Sequence, residues 1–179
     1  PNGVENFEST KNDSQINVKV EKVVHKYAVD LTFNFSDLTI GNIEWNVNDM
    51  KYEIKGDITT NNTRTIQLDN RSDLPVYASV TSTDADTADH IQVALKDTTN
   101  NGKPTNAKFE IAKATAGING TTGSAGSDTV TVNVTSSDWN AAAEYYVRQF
   151  EDATKGTTVA GSTGKTFKVA TITVNLSKD

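Results

Sequence analysis

Through most of this chain Val, Ile, Leu, Phe and Tyr recur at every second position, with Thr, Asn, Lys or Asp between them. A period of two sends successive side chains to opposite faces of an extended backbone, so each run has one face for a core and one for water. Ile16, Val18 and Val20 open the pattern after Gln15. Past Val23 and Val24 the phase slips, and Tyr27, Val29, Leu31, Phe33 and Phe35 carry it on at odd positions. A one-residue slip inverts the faces, which predicts a bulge or bend at 23–26, where a strand can pass from one sheet to another. Further alternating runs cover 51–55, 65–69, 76–81, 91–96, 108–113, 129–134 and 167–176, with Gly, Asn and Asp between them. No alternating helices exist to cover a parallel sheet. The expected fold class is all-β: an antiparallel β-sandwich of jelly-roll or immunoglobulin-like Greek-key type.

One segment departs from this period. At 138–151 the larger apolar groups are Trp139, Ala142, Ala143, Tyr146, Val147 and Phe150, a helical spacing behind Ser137 or Asp138 as N-cap. Three successive alanines argue against a strand here. The expectation is one amphipathic helix across an open end or face of the sandwich. Residues 1–14 are polar, with Val4 and Phe7 as the only large apolar groups, and read as an extended N-terminal arm. Residues 15–179 then form a single domain. The stretch 116–126, AGINGTTGSAG, reads as a mobile loop inside it rather than a linker.

Hydrophobic residues make up 35% of the chain, below the usual globular share of about 45–50%. Charged residues are an ordinary 22%, so Thr, Asn, Ser and Asp fill the difference, as in half-wet strands rather than disordered chains. The net charge of −6 comes with no basic stripe, which disfavours nucleic-acid and anionic-lipid partners. No apolar run is long enough to span a bilayer, so membrane insertion is not expected. The chain has no Cys, which leans toward an extracellular or cell-surface setting without thiol chemistry. Pro1 is a poor residue to follow a signal-peptidase cut, so another protease makes this end or the mature protein begins earlier.

Candidate chemical sites are few. Gly161-Ser-Thr-Gly-Lys-Thr166 imitates the tail of a phosphate-binding loop, but Val159 stands where its first Gly belongs and a strand follows where a helix is needed. Asp97-Thr-Thr-Asn-Asn101-Gly102 partly matches a calcium loop, and Asp84, Asp86 and Asp89 gather three carboxylates nearby. These five residues, Asp84, Asp86, Asp89, Asp97 and Asn101, are the candidate Ca²⁺ ligands. The twelfth position of the loop is Lys108 instead of a bidentate Glu, and a solvated turn with an acidic loop is the favoured reading of the cluster. No other cofactor is expected. His25 and His90 are the only histidines, and neither belongs to a nucleophile elbow or a metal-binding pair, so the chain reads as no enzyme. Asn70-Arg-Ser72 and Asn61-Asn-Thr63 are glycosylation sequons that arise from composition.

Tyr27-Ala-Val-Asp-Leu31, Ile43-Glu-Trp-Asn-Val-Asn48, Lys51-Tyr-Glu53 and Ile66-Gln-Leu-Asp-Asn-Arg-Ser-Asp-Leu-Pro-Val76 together form a longer pattern. It resembles secreted Firmicute surface proteins, in which a Y-x-V-D strand precedes a W-N…Y-E hairpin and a strand ending in an N-x-S turn. That resemblance spans the first half of the chain and implies an extracellular β-sandwich. An all-β domain with an extended N-terminal arm is similar, more distantly, to TasA/camelysin fibre subunits of biofilm matrices and to pilins that assemble by strand exchange. The implied partner is the chain itself, in a homopolymer where an arm completes the next subunit's sheet. The donor candidates are Val4 and Phe7, continuing through Ile16, Val18 and Val20, with C-terminal Ile172, Val174 and Leu176 in reserve. Two other readings stay open. An adhesin or carbohydrate-binding module would recognise a surface glycan or protein ligand through Trp45, Tyr52 and Trp139, and a phage or particle decoration protein would share the fold and the arm.

Overall fold

The computed structural model describes residues 11–55, 62–97, 103–104, 107–153 and 164–178. Among the described residues ten strands and one α-helix follow one another. They are β1 (Val29–Asn34), β2 (Asn42–Asn46), β3 (Lys51–Lys55), β4 (Thr63–Asn70), β5 (Val76–Asp84), β6 (Gln92–Asp97), β7 (Lys103–Pro104), β8 (Phe109–Ile111), β9 (Gly126–Thr135), α1 (Trp139–Ala153) and β10 (Ala170–Ser177). All pairings are antiparallel: a five-stranded sheet β1-β4-β9-β6-β7, a three-stranded sheet β10-β5-β8, and the hairpin β2-β3. The all-β sandwich-like architecture therefore stands as the alternation foretold. No helix among the described residues is long and apolar enough to cross a membrane.

The two larger sheets meet through the faces the sequence marks. Ile66 and Leu68 of β4, Ala78 and Val80 of β5, Ile111 of β8, and Val130 and Val132 of β9 form the buried core. Leu31, Val93, Leu95, Phe109, Ile172 and Val174 pack around it. Each fully buried Ile, Leu or Val contributes about 1.5–3 kcal/mol, so these few central strands hold most of the sandwich together. A second, smaller core lies under the helix. Ile91, Ala142 and Tyr146 are its buried centre, with Ile40, Val134, Trp139, Tyr145, Phe167 and Val169 around them. The helix begins where its cap predicts: Asp138 Oδ1 accepts from the Ala141 amide at 3.0 Å, satisfying one of the donors a first turn leaves over.

Two sequence expectations change here. The alternation predicts a strand from Gln15, yet residues 11–28 belong to no strand, and the first ladder starts at Val29. Alternation reports which side chains share a face; it carries no information on whether a neighbouring strand is there to pair. The stretch expected to be a mobile loop is instead tied. Thr115 and Ser124 exchange both backbone hydrogen bonds, at 2.8 and 2.9 Å. Asn119 and Gly120 take positive φ at its tip, as a tight hairpin turn requires. A Cβ at Gly117 would collide with the Thr121 carbonyl, so this glycine is there for close backbone approach rather than for flexibility.

Candidate functional site

The feature with the least internal explanation is the segment before β1. Residues 11–24 are exposed and belong to no helix or strand, and their ion pairs are local: Lys11 with Asp13 at 3.6 Å and Lys19 with Glu21 at 3.1 Å. Pairs two apart lie on one side of an extended backbone, which leaves the even positions to the apolar groups. Those are Ile16, Val18 and Val20, exposed at 100%, 92% and 72%. At ~3.3 Å per residue the segment reaches about 45 Å, comparable with the breadth of a small domain. Val4 and Phe7, the other donor candidates, lie outside the described residues.

The arm is loose along its length and fixed at its root. The corner between β4 and β5 folds around Asn70, whose side-chain amide donates to the carbonyls of Leu74, Ile111 and Ala112 at 3.1, 3.2 and 3.1 Å. Its Oδ1 accepts from the Ser72 amide at 2.9 Å, which sets a tight Asx turn. Ser72 then holds the arm: its Oγ accepts from the Ala28 amide at 2.9 Å, and the Ala28 carbonyl accepts from the Arg71 amide at 2.9 Å. Asp73 completes the grip, with Oδ2 at 2.7 Å from His25 Nδ1 and Oδ1 accepting from the Lys26 amide at 3.2 Å. These bonds, chiefly the one with His25, keep the Asp73 carboxyl below its ordinary pKa. The Asn70 amide is wholly buried, so this sequon offers no accessible glycan acceptor in the folded chain. The sequence offers Asn70-Arg71-Ser72 both as a sequon arising from composition and, through the resemblance, as the turn that ends a strand; the bonds that Asn70 makes to Ile111 and Ala112 are not legible there.

Beside the root the sandwich is open. β1 and β10 are each a terminal strand, and they lie on the same side, since Lys178 Nζ sits 4.6 Å from the centroid of the Tyr27 ring. On the inward parity of these strands, Phe33, Phe35 and Leu176 remain 46%, 43% and 41% exposed. Phe33 pairs in register with Ile66, which is fully buried, so core coverage ends one strand from this edge. Phe33 and Phe35 meet edge to face at 5.5 Å between ring centroids, and both stay partly exposed. The C-terminal reserve donor is already in use: Ile172, Val174 and Leu176 pair with Ser82, Val80 and Ala78 of β5.

Two of the five candidate calcium ligands, Asp86 and Asp89, have partners within the chain. Asp86 caps a short 3-10 turn by accepting from the Ala88 amide at 2.9 Å, and it accepts from the Tyr145 hydroxyl at 2.7 Å. Those two bonds, the backbone one foremost, lower its pKa. Asp89 is buried and accepts from the Ile91 amide at 2.8 Å and the Tyr146 hydroxyl at 2.9 Å. Asp84 is exposed at the end of β5, Asp97 closes β6, and Asn101 lies outside the described residues. Among the described residues no three acidic or imidazole groups gather where they could share an ion. The acidic loop is thus the dock of α1, and tyrosines far away in sequence are its partners. His90 is exposed and closes the 3-10 turn in the left-handed conformation, away from His25.

The dock sets an alkaline limit. Burial first, then the bond to Asp89, raises the Tyr146 pKa well above its ordinary 10.0. A group whose folded pKa is raised contributes fully below its unfolded value and loses that contribution as pH climbs. We expect thermal stability to hold up to pH 10 and to fall beyond it, with Tyr146 ionising only as the helix leaves. Following tyrosinate absorbance and near-ultraviolet circular dichroism together checks this. Replacing Tyr146→Phe should cost about 1–3 kcal/mol at neutral pH by leaving a buried carboxylate short of a donor, and should weaken the alkaline step.

The proposed aromatic platform comes apart. Trp45 and Tyr52 stack edge to face at 5.0 Å on the β2-β3 hairpin, and the Tyr52 hydroxyl donates to Glu151 at 3.1 Å. Trp139 packs into the helix core instead. Trp45 is half exposed, beside the exposed Val47 and Met50 of the hairpin tip.

Compared with protein-family models, with curated proteins and with solved structures, the chain matches none.

Proposed function

We propose that the chain is a structural subunit of an extracellular bacterial filament, assembling head to tail by donating its N-terminal arm as a β-strand. The single observation that carries this reading is the exposure of Ile16, Val18 and Val20 on a segment that pairs with no strand among the described residues. Side chains with a strand's alternation gain about 1.5–3 kcal/mol each when covered, and nothing in the same body covers them. An arm rooted at one place and completing a sheet elsewhere makes a heterologous contact, which propagates into a filament wherever the rotation between copies does not close a ring. The absence of Cys suits a protein working outside the cell.

Negative-stain electron microscopy of the full chain, beside a chain lacking residues 1–20, tests the proposal. Fibres from the first and discrete particles from the second are expected. Fibres from both would remove the arm from the mechanism. Discrete particles from both, at high concentration, would sink self-assembly and leave a ligand-binding module, for which the half-exposed Trp45 is the supporting observation.

A further inference from the structure

The remaining question is where a donated arm would go, and the open side of the sandwich answers it. Resting on the assembly reading above, we infer that Ile16–Val20 of one copy adds as a fourth strand to the three-stranded sheet of the next, along the outer edge of β10. Its apolar side chains then cover Phe33, Phe35 and Leu176.

Four observations meet on this site. The two sheets are unequal, five strands facing three, and the shorter one ends at β10 on the side where β1 ends the longer one. A strand added to β10 lies across the inward face of β1, where the two Phe rings are uncovered. A strand added to β1 instead would extend the longer sheet still further, with no sheet opposite, and would leave those rings in water.

The spacing also matches. Ile16, Val18 and Val20 repeat at the same two-residue interval as Ile172, Val174 and Leu176 on β10, so one register brings all three arm groups over the same face. The arm's other face, Asn17 and Lys19, then lies beside Thr171, Thr173 and Asn175, a row without charge to repel it. β8, the opposite end of the shorter sheet, offers only the three residues Phe109–Ile111 and is the poorer acceptor.

The arm cannot readily reach this groove in its own body. Its root is held at His25, Lys26 and Ala28 by Asp73 and Ser72, where the chain enters β1. To reverse onto its own β10 the chain would have to turn within 21–26, which reads Glu-Lys-Val-Val-His-Lys. That stretch has no Gly, Pro, Asn or Asp, and its two β-branched residues favour staying extended. An arm held at its root and without turn residues behind it delivers its apolar face more readily to a second copy.

Engineered disulfides read the contact directly, because the chain has no Cys of its own. One full-length preparation carries Lys19→Cys, and a second carries Thr173→Cys or, as an independent acceptor variant, Asn175→Cys. Both acceptor positions sit on the exposed face of β10, and circular dichroism confirms that each variant is folded. A third acceptor, Thr32→Cys, probes the outer edge of β1. Mixed, assembled and oxidised, the β10 acceptors should give a disulfide-linked dimer with the Lys19→Cys chain, at least tenfold more abundant than with Thr32→Cys. A cross-link confined to Thr32→Cys, or fibres with no cross-link to either β10 position, would overturn the groove while leaving assembly intact. Neither fibres nor cross-links would overturn both.

Discussion

Replacing Ile16, Val18 and Val20 together by Ser is expected to abolish assembly while leaving the melting temperature within about 6 °C of the parent. The two halves of this result have different causes. In the isolated chain these side chains are 100%, 92% and 72% exposed, so removing them takes away no internal packing. Substitutions away from packed features stay within about 0.5 kcal/mol, and a protein of this size shifts by about 2–4 °C per kcal/mol. In a filament the same three groups would be covered, each contributing about 1.5–3 kcal/mol. Losing even the lower figure three times amounts to about 4.5 kcal/mol, more than a thousandfold in association. Scanning calorimetry and sedimentation of the same samples separate the effects. A variant that melts much earlier would show that the arm packs on its own body; one that still polymerises would show that these side chains are not the plug.

Asn70→Leu is expected to be the most destabilising single change outside the hydrophobic core, at about 3 kcal/mol or more and a fall of roughly 10 °C in melting temperature. Leu keeps the branched outline of Asn, and its two bulkier methyl groups add some crowding at a fully buried position. What goes is the set of bonds: the Leu74, Ile111 and Ala112 carbonyls lose their shared donor, and the Ser72 amide loses its acceptor. Buried polar groups left unpaired cost about 1–3 kcal/mol apiece. The damage converges because Asn70 is the meeting point of three strands, facing Val29 of β1 and Gly126 of β9 across the ladders and holding the chain that enters β5. Asn70→Asp should fare no better. It keeps an acceptor for Ser72 but presents a carboxylate to three carbonyl oxygens. Thermal denaturation followed by circular dichroism decides the point, and a shift under 2 °C for Asn70→Leu would mean the corner is held by something else.

The arm substitution tests a contact between molecules and the Asn70 substitution tests a corner inside one, yet both bear on the same device. Ser72 is positioned by Asn70, and Ser72 in turn fixes Ala28, from which the arm departs. A loosened corner should therefore let the arm swing, lowering assembly even at temperatures where the Asn70→Leu chain is folded.

Much of this molecule is local information, and that part was open to reading residue by residue. The alternation of Ile66 with Leu68, of Val130 with Val132, and of Ile172 with Val174 decides which faces become core, because side-chain direction in a strand follows from the backbone alone. The helical spacing of Trp139, Ala142, Ala143 and Tyr146 behind Asp138 decides α1 in the same way. Partnership is the part that local chemistry does not carry. Ile16, Val18 and Val20 have the same alternation as β10, but β10 found β5 and the arm found no strand. Asp86 and Asp89 look alike in a loop that could face an ion; Tyr145 and Tyr146, 59 and 57 residues away, make them a helix dock. Asn70 reads as a sequon until the Leu74 carbonyl and the two distant carbonyls of Ile111 and Ala112 surround it. A period of two or of 3.6 is a property of one segment, whereas pairing and burial of a polar group are properties of two, brought together only when the whole chain closes around them.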